Sequence, residues 1–443
     1  MPPMAEQVKM DSRSGAVTRD SIVGSAVLPI GSRVNGLGHL EVGGCDVVEL
    51  AEEHGTPAYI YAEDDLRARA RAYREAFASR GVDGEVLFAS KAFPATAAYK
   101  LFAEEGLSVD VASGGELHIA LAAGFDPARI HMHGNNKSDE EILMAARAGI
   151  GHLILDSFDE IERCERLLDE PMQVLIRVTP GIKPSTHDYI TTGQLDSKFG
   201  FGTGDGDGAA RAIERVLASD KLDLVGLHAH IGSQIFELEP YRLEIAALGE
   251  LAGDWCKVVD VGGGLGVAYT EDDAPPAIDD YVGVKVEGVR EVFGPEVRML
   301  IEPGRSLVAN AGITAYRVGT VKEIPGIRTY IAVDGGMSDN LRPMLYGSKY
   351  EALIADRVAD EGDTLVTIAG MHCESGDVLV RDAMLAGPAV GDVLVTPATG
   401  AYGHAMANNY NGVTRPPVIF CSGGEARVVV RRETFDDLTA RDV

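Results

Sequence analysis

The sequence predicts two architectures in one chain: an α/β unit folded as a (β/α)₈ TIM-like barrel, and a second, all-β antiparallel domain. Three observations predict this. Eight apolar runs alternate with helical stretches from Val86 to Ile301. After Pro303 the helical periods give way to short strand-like runs punctuated by Gly, Pro and Asp. The 443 residues are enough for two or three domains.

Taken in order, residues 1–25 are polar and unpatterned and read as a mobile leader. Residues 26–62 hold short apolar runs and glycines, with a short helix near Val47–His54, and read as the first part of the β domain. Residues 63–80, rich in Ala, Arg and Glu, open the barrel with a long helix. Barrel strands are expected at Val86–Ser90, Ser108–Ala112, Ile130–His133, Leu153–Asp156, Gln173–Val178, Val225–Ile231, Val258–Val261 and Arg298–Ile301. Helical stretches such as Glu116–Ala123, Glu140–Arg147, Glu160–Leu168 and Ala209–Ala218 separate them. Strands alternating with helices pair in parallel through right-handed crossovers, and eight even units favour closure over an open doubly wound sheet. The barrel is therefore assigned to 63–310 and the rest of the β domain to 311–443.

Composition narrows the function. Apolar residues make up 45% and charged residues 24%, as in ordinary globular proteins. Basic residues number 40 against 68 acidic, a net charge of −28, which argues against nucleic acid or an anionic membrane as partner. No apolar run approaches the roughly 18 residues of a membrane span, and no secretion signal is evident. The cysteines, Cys45, Cys164, Cys256, Cys373 and Cys421, are odd in number and scattered without a Cys-x-x-Cys. That suits reduced thiols in the cytoplasm.

Barrel enzymes carry their chemistry at the C-terminal ends of the strands. Here those ends read Lys91, then Asp110 and Ser113, His131 and His133, Asp156, and Arg177. The later ends read His228, His230 and Ser233, then Gly262-Gly263-Gly264, and last Glu302 and Arg305. A core-filling strand has no need of a polar residue at one end so regularly. Lys91 closes a buried apolar run, and a partly desolvated amine loses its charge more readily, the route by which lysines become Schiff-base nucleophiles. The glycine run lets backbone N–H groups converge on a phosphate, with Arg305 as a charge-assisted donor. His228 and His230 share a strand face, as a metal pair joined by Asp260 and His133 or as an aromatic plate over a flat cofactor. Glu302 could keep a pyridine nitrogen protonated. In the β domain Cys373, among acidic neighbours, could donate a proton.

Together these motifs resemble the fold-type III pyridoxal-phosphate decarboxylases. The resemblance rests on Ala89-Ser90-Lys91-Ala92, Asp110-Val111-Ala112-Ser113-Gly114-Gly115-Glu116, and His131 through Lys137. It continues with His230-Ile231-Gly232-Ser233-Gln234, the triple glycine and Glu302-Pro303-Gly304-Arg305. Cys373-Glu374-Ser375-Gly376-Asp377 and Tyr402-Gly403-His404-Ala405-Met406 complete it, so it runs from about Gly43 to Asn411.

The resemblance implies a carboxy-lyase with pyridoxal 5'-phosphate as cofactor, no metal, and meso-diaminopimelate as the amino-acid substrate. The alternative is the same fold acting on ornithine, lysine, arginine or a carrier-linked glutamate. It implies that Lys91 would hold the cofactor covalently and His230 would lie against its ring. Ser233, Gly262, Gly263, Gly264, Gly304 and Arg305 would hold the phosphate end, Glu302 would face the pyridine nitrogen, and Tyr402 would touch cofactor and substrate. Arg305, Arg342 and Tyr346 would bind the substrate's far carboxylate, and Glu374 its far amine. Cys373 would donate the proton across a homodimer interface with shared sites. Phe93, Asn408 and Met371 depart from the family pattern, which commonly has asparagine, serine and a basic residue there.

Overall fold

The computed structural model describes residues 22, 24–182, 197–203 and 208–443. Residues 1–21 and 23 of the expected leader lie outside the described residues.

A strand enters first from the second domain: β1, Ala58–Ala62. The barrel strands follow: β2 Gly84–Ala89, β3 Ser108–Val111, β4 Ile130–Met132 and β5 His152–Leu155. The other four are β6 Met172–Thr179, β7 Leu222–Ala229, β8 Val258–Asp260 and β9 Arg298–Ile301. All pair in parallel, β9 on β2 and β5 on β6, so the ring closes and leaves no edge among the eight. All eight expected strands form, Arg298–Ile301 with the expected bounds and the others with ends shifted by at most three residues.

The apolar runs are continuous because both faces of each strand are covered. Leu87, Ile154, Leu175, Val258 and Leu300 turn inward and fill the barrel. Phe88 turns outward, its ring 4.4 Å from Phe102 and 5.9 Å from Tyr99 on the following helix.

His131 corrects one expectation. It lies not at the mouth but at the bottom of the barrel, with His152 Nδ1 at 3.1 Å and Glu85 at 3.5 Å. Two residues along a strand is about 6.6 Å, so His131 and His133 on one face belong to different layers. Arg298, 2.7 Å from Glu85, completes this lower plug. Against the penalty of burial, His131, Ser108 and Arg298 pull Glu85 down to about 2.

The second domain is built on β10, Gly312–Ile324. It is followed by β11 Arg328–Val333, β12 Thr364–Ala369, β13 Val378–Leu385, β14 Val393–Thr396, β15 Val418–Ser422 and β16 Glu425–Val430. The order is β13-β12-β11-β10-β1-β15-β16, with β14 also on β10. The sheet is mostly antiparallel, as expected, with β1–β15 and β11–β12 pairing in parallel. Parallel neighbours need long connections, and the β1–β15 pair has one in the whole barrel.

The two sheets meet beside Lys91. Phe93 is fully buried and stacks on Tyr61 at 4.4 Å, their planes 10° apart. Tyr402 N–H donates to Ala92 carbonyl at 2.8 Å. Its φ of 65° bends the chain so that its ring turns to the barrel mouth.

Candidate active site

A cavity of about 780 Å³ opens at the C-terminal ends of the barrel strands. The barrel contributes Lys91, Asp110, His133, Arg177, His228, His230, Ser233, Glu302 and Arg305 to its wall, and the β domain Arg342, Tyr346 and Tyr402. Six of the eight strand ends are thus brought to one surface, as barrel geometry requires. Ser113 is diverted: its hydroxyl caps the helix Gly114–Ala122 by accepting from Glu116 N–H at 3.2 Å. Asp156 is turned to Arg177, 3.8 Å away, and to Gly200 N–H.

Lys91 follows β2 in the turn Ser90–Ala92, with protein on every side yet its side chain exposed to the cavity. Desolvation works against its charge, but Asp110, Tyr402 and Glu302 outweigh that and raise its pKa. This corrects the expectation of an easily discharged amine. The deciding influence is nearby negative charge.

Glu302 is the electrostatic centre. One carboxylate oxygen is 2.6 Å from His133 Nε2 and the other 3.2 Å from His228 Nε2. Burial opposes ionisation, yet the two imidazoles hold Glu302 well below the usual carboxylate range. The same pairing raises His133, against burial. Burial depresses His228 to about 4, with Glu302 opposing. Asp110 is pushed up to about 6 by burial, with His133 and Lys91 pulling the other way.

His230 Nδ1 accepts the N–H of Gly263 at 3.2 Å. Burial and then Lys91 drive its pKa well below 6.5, so the ring is neutral with its proton on Nε2. The glycines admit no side chain. A Cβ on Gly263 would lie 2.2 Å from Glu302 carbonyl, and one on Gly264, at φ +111°, would lie 2.7 Å from Gly232 carbonyl. Gly304 is equally confined, 3.0 Å from Ala89 Cβ.

The far wall carries two guanidiniums. Arg305 donates to Ser233 Oγ at 2.9 and 3.1 Å and to Tyr269 hydroxyl at 2.5 Å. Arg342, buried, donates to Tyr350 hydroxyl and lies 4.6 Å from the Tyr269 ring centre. Neither has a carboxylate within 4.0 Å among the described residues. Tyr269 and Tyr350 went unnoticed in the sequence, where neither sits in a motif. Asp110 and Arg177 are visible in the sequence as strand ends without an assigned role, and His133 and His228 only as candidate metal ligands or, for His228, part of an aromatic plate.

Cys373 and Glu374 do not reach this cavity within the chain. Both are exposed, on a loop folded back by Asp377, which accepts from Met337 and His372 N–H. The paired His228 and His230 also do not share a ligand point. The convergent group is His133, His228, Asp260 and Glu302, with ligand atoms within 4.8 Å, and Glu302 already bridges its two imidazoles.

An amine reachable from the cavity, a carboxylate held ionised, a neutral imidazole and a glycine cradle beside Ser233 and Arg305 fit pyridoxal phosphate. Residues 63–309 match the family described as pyridoxal-dependent decarboxylase, pyridoxal binding domain. A diaminopimelate decarboxylase of Bacillus subtilis (strain 168) is 49% identical over 93% of this chain and 97% of its own. One from Staphylococcus aureus (strain COL) is 42% identical over 93% and 99%. The chain belongs to the diaminopimelate decarboxylase family. Its fold superposes on the M. jannaschii member in complex with L-lysine with a TM-score of 0.87, at 34% identity, covering 93% of this chain and 97% of that one. The Helicobacter pylori member complexed with L-lysine gives 0.81 at 32% identity, covering 88% and 98%. The cofactor is pyridoxal phosphate. No helix among the described residues is long and apolar enough to cross a membrane.

Proposed function

We propose that this chain removes CO₂ from meso-2,6-diaminopimelate to leave L-lysine, the last step of lysine biosynthesis. The observation that carries the substrate is the pair Arg305 and Arg342, two cations without a carboxylate partner among the described residues, beside Lys91's cavity. A substrate with a carboxylate at its far end supplies that partner. One with a plain amine tail leaves Arg342, which has no duty toward the phosphate, unpaired and loses accordingly.

Bound here, pyridoxal phosphate supplies an aldehyde for amine capture and a conjugated ring that accepts the electron pair of the broken bond. Lys91 provides the amine that the substrate's amine displaces. Glu302, kept ionised by His133 and His228, favours a protonated pyridine nitrogen. His230, its Nδ1 accepting from Gly263 N–H, would face the cofactor's ring. Ser233, Gly262, Gly263, Gly264, Gly304 and Arg305 hold the phosphate end. Tyr346 and Tyr402 line the substrate side, with Tyr402 4.9 Å from the Arg305 guanidinium.

Cys373 returns a proton to Cα and Glu374 binds the far amine, both from a second copy of the chain in a homodimer. Their exposure outside the cavity supports this, as does their neighbour Met371, 53% exposed on the same loop. Residues 63–310 form the cofactor-binding barrel, flanked by 26–62 and 311–443 of the β domain. The cytoplasm is the compartment, in keeping with five free cysteines.

The test is release of CO₂ and lysine from meso-diaminopimelate, with ornithine, lysine and arginine assayed beside it. Turnover of diaminopimelate alone is expected, lost in Lys91→Ala. Comparable turnover of ornithine overturns the substrate.

A further inference from the structure

Behind the glycine run, away from the cavity, lies a lysine that the reaction does not use. Lys285, on the helix Ile278–Phe293, is fully buried. Its ammonium donates to the carbonyls of Val261, Gly262 (3.0 Å) and Gly263 (3.4 Å). Three N–H donors thus meet three consecutive carbonyls. The rings of Tyr241 and Tyr281 face it with centres at 4.5 and 4.6 Å, and Tyr281 hydroxyl adds a contact to Gly262 carbonyl at 3.4 Å.

In a trans peptide the N–H points opposite to the carbonyl before it. Drawing the carbonyls of 261–263 toward Lys285 therefore turns the N–H groups of Gly262, Gly263 and Gly264 away from it. The Gly262 N–H meets Asp260 at 2.9 Å and the Gly263 N–H meets His230 Nδ1. The peptide planes of glycines have no side chains to lock them, so an anchor on one side decides which way they face. Burial lowers Lys285 to about 8, with Glu244, Asp260 and Glu302 opposing, so the cation persists at neutral pH. Glu244, on the facing helix Glu239–Gly249, is pushed up to about 8 by burial and stays largely neutral there, leaving the charge to the loop.

We propose that Lys285 is a positioning residue: by setting the peptide planes of Gly262–Gly264 it keeps Gly262 N–H on Asp260 and Gly263 N–H on His230, and turns Gly264 N–H to serve the cofactor's phosphate. The inference rests on the reading of the glycine run as the phosphate cradle. Apo protein is titrated with pyridoxal phosphate and with pyridoxal, which lacks the phosphate, for wild type and Lys285→Met. The wild type is expected to prefer the phosphorylated form strongly, and equal affinities would overturn the cradle itself. Lys285→Met is expected to weaken pyridoxal phosphate roughly tenfold or more, with pyridoxal weakened much less and the phosphorus-31 resonance of the bound cofactor shifted. A variant that keeps the wild-type preference and resonance overturns the role of Lys285, as does equal loss for both ligands. Where Lys285→Met does not fold, Lys285→Gln, whose two amide N–H groups cannot serve three carbonyls, takes its place; a smaller loss confined to the phosphorylated form is expected, and an unchanged preference overturns the role.

Discussion

Glu302 lies between His133, at 2.6 Å, and His228, at 3.2 Å, and is the one carboxylate of the mouth held well below its ordinary range. His133 is the stronger of its two supports. Replacing His133 with Gln removes a cation from Glu302 and lets its pKa rise, because burial is then less opposed. The acid limb of the kcat profile is expected to move up by roughly one pH unit, read from initial rates carried from pH 7 down to pH 3, since Glu302 starts well below the ordinary carboxylate range. An unmoved limb would show that Glu302 does not depend on this contact.

Arg342 is held by Tyr350 and by the Tyr269 ring, with its charge unpaired among the described residues. Arg342→Met should cost on the order of 3 kcal/mol in kcat/KM for diaminopimelate, roughly 10²-fold. The loss should be much smaller for a substrate whose far end carries no carboxylate. Steady-state kinetics on both substrates decide it.

Phe93 joins the lysine turn to the β domain through its stack on Tyr61. Phe93→Ala should destabilise the chain by about 3–5 kcal/mol, the usual cost of an emptied aromatic site. Urea unfolding at fixed cofactor concentration measures it. Because the stack lies two residues from Lys91, cofactor retention should fall as well.

Asp339 gives a pH dependence with a definite sign. Burial pushes it from 3.8 up to about 7, against the pulls of Tyr316 hydroxyl and Gly336 N–H. Between pH 4 and 7 the folded chain therefore keeps a proton that the unfolded chain has lost, so this group's contribution to stability declines as pH rises. The slope is up to about 1.4 kcal/mol per pH unit over that window. Asp339→Asn should flatten the stability profile there, as thermal unfolding across the range would reveal.

Cys373 offers a test of shared sites. Lys91→Ala and Cys373→Ala are each expected to lack activity alone, but in mixed dimers with the proposed shared sites one of the two would keep both groups. Mixing equal amounts under exchange should restore roughly a quarter of wild-type activity. A mixture that stays inactive despite subunit exchange would place both groups in one chain.

Local pattern determined much of this protein. Eight apolar runs, each fenced by a helix, specify eight parallel strands, and a closed barrel then sends Lys91, His230 and Glu302 to one mouth whatever their distance in the chain. What pattern could not determine depends on layers and neighbours. His131 and His133 look alike in a strand, yet one plugs the bottom of the barrel and the other supports Glu302. Lys91 looked fit to lose its charge, but Asp110, Tyr402 and Glu302, brought near by folding, keep it. Tyr269, Tyr350 and Lys285 lie in no motif, and act only because tertiary packing sets them against arginines and backbone carbonyls. Sequence periodicity fixes which side a residue faces, whereas electrostatics depends on distances between elements that only the assembled fold brings together.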